Sequence, residues 1–312
     1  MRIGIIGVGG LGGYYGGLLA QAGHAVEFVA RGAHLAALRQ SGLRVNSVHG
    51  DFTVTPVAAT DRPAEIGPVD LVMVCVKTPA LDAAAESAQP LIGPDTVVLG
   101  LQNGIDAAER IGAIVGPERV LGAATWIAAN IEAPGVIRQL SSFRRIVVGE
   151  MDGRMSPRLE RTVAALKATG ATIEATPDIR KVLWTKFIFI AGFSALGTAT
   201  GLPIGDFRAV PETRAMLRAL MDEVASVARA HGVDLDSDVV AQTLTLVDGL
   251  EPGIKTSMQR DVEAGRPSEL EALVGAVRRK GREGGVPTPT ADMIYGVLLP
   301  GQLRALKAAG HA

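Results

Sequence analysis

Apolar positions follow two rhythms in the first half of this chain and essentially one in the second. Residues 2–6, 25–30, 71–76, 96–101, 119–124 and 145–149 are short apolar runs bounded by turn-forming residues, the pattern of buried strands. Between them, 10–21, 35–40, 80–88 and 107–115 carry apolar residues at helical spacing. Strands alternating with helices predict a doubly wound, mainly parallel sheet. Residues 53–58 and 136–140 read as additional, antiparallel strands. Ser156-Pro157 opens a helix through Lys167, Gly170 stops it, and 172–175 is a last strand. Beyond Pro177 the strand signals fade, and 182–199, 212–231, 238–246, 254–264 and 269–281 read as helices. The prediction is an α/β domain over 1–177 and a mostly α-helical domain over 178–312, with no repeat or low-complexity linker. Two such domains are expected to pack around a cleft, a common ligand position, and to close about a hinge near Pro177.

The first strand runs directly into Gly7-Val8-Gly9-Gly10-Leu11-Gly12, and a helix and a second strand follow. A G-x-G-x-x-G loop in this β-α-β context predicts a Rossmann-type dinucleotide-binding domain. Gly7 permits the tight turn, Gly9 lets the backbone approach a pyrophosphate, and Gly12 lets helix and strand pack closely. The pyrophosphate is expected at the positive helix N-terminus. Arg31 stands at the end of the second strand, where NAD-binding proteins usually carry a carboxylate for the ribose 2′-hydroxyl. A guanidinium pairs with a 2′-phosphate and a carboxylate repels it, so Arg31 favours NADP(H). Glu27 lies nearby but inside the strand.

Composition narrows the classes. The chain has 312 residues, of which 47% are hydrophobic, and a formal net charge of −1. No basic field invites nucleic acid or an anionic membrane, and aromatic content is only 4%. The single cysteine, Cys75, lies within an apolar strand and reads as a small core residue. No secretory signal stands out, and the apolar stretch 187–196 is far shorter than the roughly 18 residues of a membrane span. A cytoplasmic protein is expected, with no metal site.

Four places could carry chemistry. Lys77 follows a strand and precedes Thr78-Pro79; strand carboxyl ends line the ligand crevice in open α/β sheets. Asn103, in Gln102-Asn103-Gly104 at the end of the next strand, could offer its carboxamide to a ribose or substrate oxygen, although Asn-Gly is also a strong turn signal. Lys186 lies in Trp184-Thr185-Lys186-Phe187, the only charge between Lys181 and Asp206. Partial desolvation there would lower its pKa and make it a usable general acid; a snorkelling lysine on a core helix gives the same pattern. Ser257 and Asp261 lie one helical turn apart, and Ser268 with Glu271 makes a capping-box pattern that puts Glu269 in a first helical turn.

Gly7-x-Gly9-x-x-Gly12, Arg31, Val76-Lys77-Thr78, Leu101-Gln102-Asn103-Gly104, Leu183-Trp184-x-Lys186, and Ser257-Met258-x-x-Asp261 followed by Glu269 resemble the ketopantoate reductase (2-dehydropantoate 2-reductase) family. The resemblance runs over nearly the whole chain. It implies NADPH-dependent reduction of 2-dehydropantoate (ketopantoate) to (R)-pantoate, a step of pantothenate and coenzyme A biosynthesis. It makes Lys186 the general acid and Glu269 a supporting catalytic carboxylate. Asn103, Lys186, Ser194, Ser257 and Glu269 would bind substrate. NADPH or NADP+ would be held by Gly7, Val8, Gly9, Gly10, Leu11, Gly12, Arg31, Lys77 and Asn103. The implied partner is a small 2-keto acid, with a homodimer allowed for.

The chain departs from the family in one respect. Family members typically carry asparagines one and two helical turns after the lysine; here those residues are Ile190 and Ser194. Isoleucine cannot bind a substrate hydroxyl, and losing such a hydrogen bond shifts discrimination by orders of magnitude. This points to a 2-keto acid with a more apolar tail. Two other readings compete: a β-hydroxyacid dehydrogenase, which Trp184-x-Lys186 fits less well, and a non-catalytic NADP(H)-binding sensor, which Ile190 mildly supports.

Overall fold

A computed structural model describes residues 1–310. The last two residues of the predicted 178–312 domain lie outside the described residues. The chain forms two compact units. Met1–Gln102 and Ala107–Ile179 make the first; Asn103–Asp106 and the chain from Arg180 onward make the second.

In the first unit the elements run β1 (Arg2–Ile6), α1 (Gly10–Gln21), β2 (Ala25–Val29), α2 (Gly32–Ser41), β3 (Leu43–Asn46), β4 (Phe52–Val54), β5 (Ala58–Thr60), β6 (Leu71–Val74), α3 (Leu81–Ser87), β7 (Val97–Gly100), α4 (Ala107–Val115), β8 (Val120–Trp126), β9 (Ala129–Ala133), β10 (Val136–Gln139), β11 (Arg145–Glu150), α5 (Pro157–Lys167) and β12 (Thr172–Ala175). Eight strands form one sheet in the order β12-β11-β8-β7-β6-β1-β2-β5. Its neighbours pair parallel, save β8 with β11. Strands β1, β6 and β7 are almost wholly buried, as a sheet covered on both faces requires. Ser156 caps α5 by accepting from the Leu159 N–H, with Pro157 at the first helical position.

A second sheet of four strands, ordered β4-β3-β10-β9, was not anticipated. The run 53–58 had been expected as one antiparallel strand. It is split instead: β4 pairs antiparallel with β3, and β5 pairs parallel with β2 in the main sheet. Pro56 lies between them and has no N–H for a ladder. Strand β10, expected antiparallel, is antiparallel to β9 but parallel to β3.

The small sheet explains why α1 is so rich in glycine. A Cβ on Gly12 or Gly16 would press into β1 and β2, through Ile5 and Phe28. A Cβ on Gly13 or Gly17 would press into Ile137, Phe52 and Leu43 on the small sheet, and one on Gly10 would collide with the backbone at Ala129. The helix is squeezed between two sheets and buried on both sides. Each interior glycine costs about 1 kcal/mol of helix propensity relative to alanine, and the close packing offsets it.

The second unit is helical: α6 (Ile179–Thr200), α7 (Ile204–Ala209), α8 (Pro211–Ala230), α9 (Val239–Asp248), α10 (Ser257–Glu263), a π-helical turn (Glu271–Gly275), α11 (Ala276–Glu283) and α12 (Pro289–Ala308). Helices α7 and α12 were not predicted. Pro300, Gly296 and Gly301 interrupt the apolar pattern of α12, although Pro289 at its first turn is a start signal. Helix α6 has 22 residues and is long and apolar enough to cross a membrane by length and composition. The stretch 187–196 alone had understated it. Its Trp184, Phe187, Ile188, Ala191, Phe193 and Leu196 are buried in the core of the helical unit. A helix apolar nearly all round needs such burial.

Candidate active site

The glycine loop takes the shape its spacing predicts. Gly7 has φ +92°, left-handed backbone that favours glycine, and a Cβ there would lie 2.6 Å from Val76 Cγ1. A Cβ on Gly12 would collide with the Gly7 carbonyl oxygen. Gly9 differs: its φ is ordinary at −80°, and a Cβ built on it meets no protein atom within 4 Å. Neither backbone strain nor protein packing requires glycine there, which fits a group held against the loop from outside. Gly9 is also the N-cap of α1, without a capping side chain and with no acidic residue in the first turn. The N–H groups and positive end of the helix dipole are available to an anion. The residues present therefore fit a dinucleotide pyrophosphate. Val8 is buried in the core, so its backbone is what the loop offers. Gly10 and Leu11 are half-buried at the helix start.

Arg31 follows β2 as the N-cap of α2, is exposed, and forms no ion pair or side-chain hydrogen bond with described residues. Lys77 is exposed just beyond β6, the strand beside β1. The end of β6 is held by Gln102, whose Nε2 donates to the carbonyls of Val74 and Val76 at 2.9 Å each. The motif at Leu101-Gln102-Asn103-Gly104 gives Gln102 no role of its own; the structure makes it a brace. Cys75 faces Gly12, and burial pushes its thiol up, consistent with a packing role.

Asn103 belongs with the helical unit. Lys186, on α6, donates to Asn103 Oδ1 at 2.9 Å. Burial lowers the Lys186 ammonium to about 8, while the nearby Glu269 carboxylate opposes the fall. Glu269 is itself only 8% exposed. Lys186 and Asn103, from distant segments, are therefore bonded, and Glu269 lies near enough for its charge to act on the ammonium.

Tertiary contacts that no motif announced hold two of the three. Arg279 pairs with Asp106, three residues after Asn103, and donates to Glu271 Oε1 at 2.8 Å. The Tyr295 hydroxyl donates to Glu271 Oε2 at 2.9 Å. Gly104 has φ +109°, and a Cβ there would lie 3.1 Å from the Ala272 carbonyl oxygen. The predicted capping box is not formed. Ser268 Oγ donates to Gln302, and Glu271 turns to Arg279 and Tyr295. Glu269 instead stands just before the π-helical turn, a local widening often found at functional sites.

Ser257 begins α10 and is exposed; its side chain makes no hydrogen bond among the described residues. Asp261, on the same helix, is buried and paired with Arg266. Ile190 packs half-buried against the helical core. Ser194 is 1% exposed, and its Oγ, like Thr198 Oγ1, has no hydrogen-bond partner among the described residues. Among the described residues, no group of three or more His, Cys, Asp or Glu side chains is placed to hold a metal ion.

Two family descriptions match the chain: "Ketopantoate reductase PanE/ApbA" over residues 3–153, and its C-terminal counterpart over 178–302. A 2-dehydropantoate 2-reductase of Mesorhizobium japonicum is 33% identical over 319 residues, covering 96% of this chain and 97% of that protein. The crystal structure of a 2-dehydropantoate 2-reductase from Geobacter metallireducens has a TM-score of 0.90 at 33% identity, covering 96% of this chain and 99% of that one. A D-mandelate dehydrogenase, solved with NADH and anilino(oxo)acetate, shares the fold at TM-score 0.88 and 23% identity, covering 97% of this chain and 98% of that one.

Proposed function

Since the chain belongs to the ketopantoate reductase family of oxidoreductases, with a Rossmann-like fold suited to a nicotinamide cofactor, we propose that it reduces 2-dehydropantoate to pantoate with NADPH. The observation that carries this reading is the Lys186–Asn103 hydrogen bond at 2.9 Å, on an ammonium lowered to about 8. A general acid works best when its pKa lies near the working pH. A nicotinamide held by the first unit would supply the hydride for C2 of the keto acid. As the carbonyl π bond breaks, Lys186 stabilises the negative charge growing on oxygen and delivers the proton that completes the hydroxyl. Asn103 aims the ammonium. Glu269 keeps it protonated at neutral pH by opposing the effect of burial. The Gly7–Gly12 loop would take the pyrophosphate, and Arg31, unpaired among the described residues, would take the 2′-phosphate that distinguishes NADPH from NADH.

A second reading keeps the chemistry and changes the substrate to a 2-keto acid with a more apolar tail. Ile190 favours it. It stands one helical turn beyond Lys186 and brings only hydrocarbon, while Ser194, a turn further, is buried. NADPH oxidation with 2-dehydropantoate beside a panel of branched and aromatic 2-keto acids separates the readings. Fast turnover of 2-dehydropantoate supports the first. Turnover confined to the apolar acids supports the second. NADPH binding without turnover of any acid overturns both in favour of a sensor. In either reductase reading the rate of reduction falls as pH rises through about 8, where Lys186 loses its proton.

A further inference from the structure

Glu269 is anchored differently on its two sides. On the C-terminal side, its carbonyl accepts from the Leu273 N–H at 3.0 Å and Leu270 is buried in the core. On the N-terminal side, residues 266–268 lie outside helix and strand; Arg266 is tied back to Asp261 of α10, and Ser268 is the next point of attachment before Glu269. Ser268 is nonetheless only 2% exposed, so its polar groups need partners within the protein. A single side chain, Gln302 of α12, supplies them. The Ser268 N–H donates to Gln302 Oε1 at 3.0 Å, and the Ser268 hydroxyl donates to the same oxygen at 2.8 Å. Gln302 Nε2 donates back to the Ser268 carbonyl at 3.1 Å. Both ends of the amide are used, so the arrangement requires an acceptor and a donor at that reach. Glutamate lacks the donor, and methionine of similar length lacks the donor and offers only a weakly accepting sulfur.

We propose that Gln302 is a positioning residue that fixes the Glu269 carboxylate beside Lys186, acting through the backbone of Ser268. The proposal rests on the roles given above to Lys186 and Glu269. Its consequence is electrostatic as well as geometric. Glu269 raises the pKa of Lys186 against the effect of burial, while Asn103, which accepts from the ammonium, is neutral. If Glu269 drifts, Lys186 loses its proton at lower pH. Gln302 is half-buried beside the exposed Leu303 and Arg304, so replacing it opens no core cavity.

The test is the pH profile of kcat for NADPH-dependent reduction, using whichever 2-keto acid the full-length enzyme turns over. Gln302→Met is compared with Glu269→Gln, and with Arg304→Ala as a control on the same helix. Expected for Gln302→Met is a kcat lower by about tenfold or more. Its alkaline limb should move to lower pH in the same direction as for Glu269→Gln and by less, with the KM for NADPH unchanged. Arg304→Ala should match wild type. Should Gln302→Met fail to fold, Ser268→Ala removes one of the three bonds and carries the same readouts at smaller size. If Glu269→Gln moves both kcat and the limb while Gln302→Met moves neither, the positioning role is overturned and the catalytic reading stands. A lowered melting temperature with wild-type kcat and pH profile reduces Gln302 to a structural residue, which also overturns it. If Glu269→Gln itself leaves rate and limb unchanged, the reading of Glu269 falls and the role of Gln302 falls with it.

Discussion

Each unit buries a charge, and the two are treated in opposite ways. In the α/β unit Glu150 is 3% exposed and fully answered. Arg158 donates to both carboxylate oxygens, at 2.8 and 2.5 Å, and Ser156 Oγ adds a third bond. The Arg158 hydrogen bonds hold the carboxyl below its ordinary range despite the opposing effect of burial. In the helical unit the Lys186 ammonium donates to the neutral Asn103, and the field of the Glu269 carboxylate only partly offsets burial, so its pKa falls to about 8. Glu150 is held in one charge state at neutral pH, as a structural ion should be. Lys186 is kept near the point of giving up its proton, as a proton donor should be.

Lys186→Met should lower kcat by roughly a thousandfold, within the range of lost acid catalysis, while NADPH affinity stays at the wild-type level in a fluorescence titration. A loss confined to KM would mean that Lys186 binds substrate without donating the proton. In urea melts the stability of wild type relative to the same variant should rise by about 3 kcal/mol as pH climbs from about 8 toward 10.5. The sign follows from the depressed pKa: the cost of burying the ammonium is full below about 8 and is relieved over that window.

Glu150→Gln should do the reverse. Leaving Arg158 without its partner should cost about 3 kcal/mol of stability, with kcat per folded molecule unchanged. The carboxylate is depressed, so its contribution is present above the unfolded carboxylate pKa and lost as pH falls through the folded one. The gap between variant and wild type therefore narrows in acid. A fall in kcat comparable to that of Lys186→Met would erase the distinction between the two charges.

Arg279→Met frees Asp106 and the Asn103 loop, and should lower kcat by about tenfold to a hundredfold. Arg279→Lys should recover part of the loss through its pairing with Asp106. Unchanged turnover would show that Asn103 keeps its place without that pair. The mildest expected change is in cofactor choice. Arg31→Glu should weaken NADPH binding by about tenfold to a hundredfold, the worth of a lost charge-assisted hydrogen bond, with little change for NADH. Equal loss for both nucleotides would take Arg31 away from the 2′-phosphate.

Periodicity reached the main sheet because a parallel sheet buried on both faces leaves near-continuous apolar runs such as Leu71–Val74 and Val97–Gly100. It missed β3 and β9 and misjudged 53–58, because short, half-exposed strands have too few residues to establish a period. The capping box at Ser268 failed for a different reason. The local motif was sound, but Gln302, 34 residues away, competed for the serine and Arg279 for Glu271.

By itself the sequence determined the α/β character of the first unit, the helical character of the second and the glycine loop, because each is carried by local spacing or by a short motif, and the family resemblance singled out Asn103, Lys186 and Glu269 as candidates. Only the tertiary structure decided that the lysine's ammonium bonds Asn103 and feels the charge of Glu269, that Arg279 and Gln302 bond their segments, and that α1 lies between two sheets. Local spacing fixes which way a side chain faces along its own element. What it touches depends on contacts between segments far apart in the chain, and the pKa of Lys186 depends on the burial those contacts create.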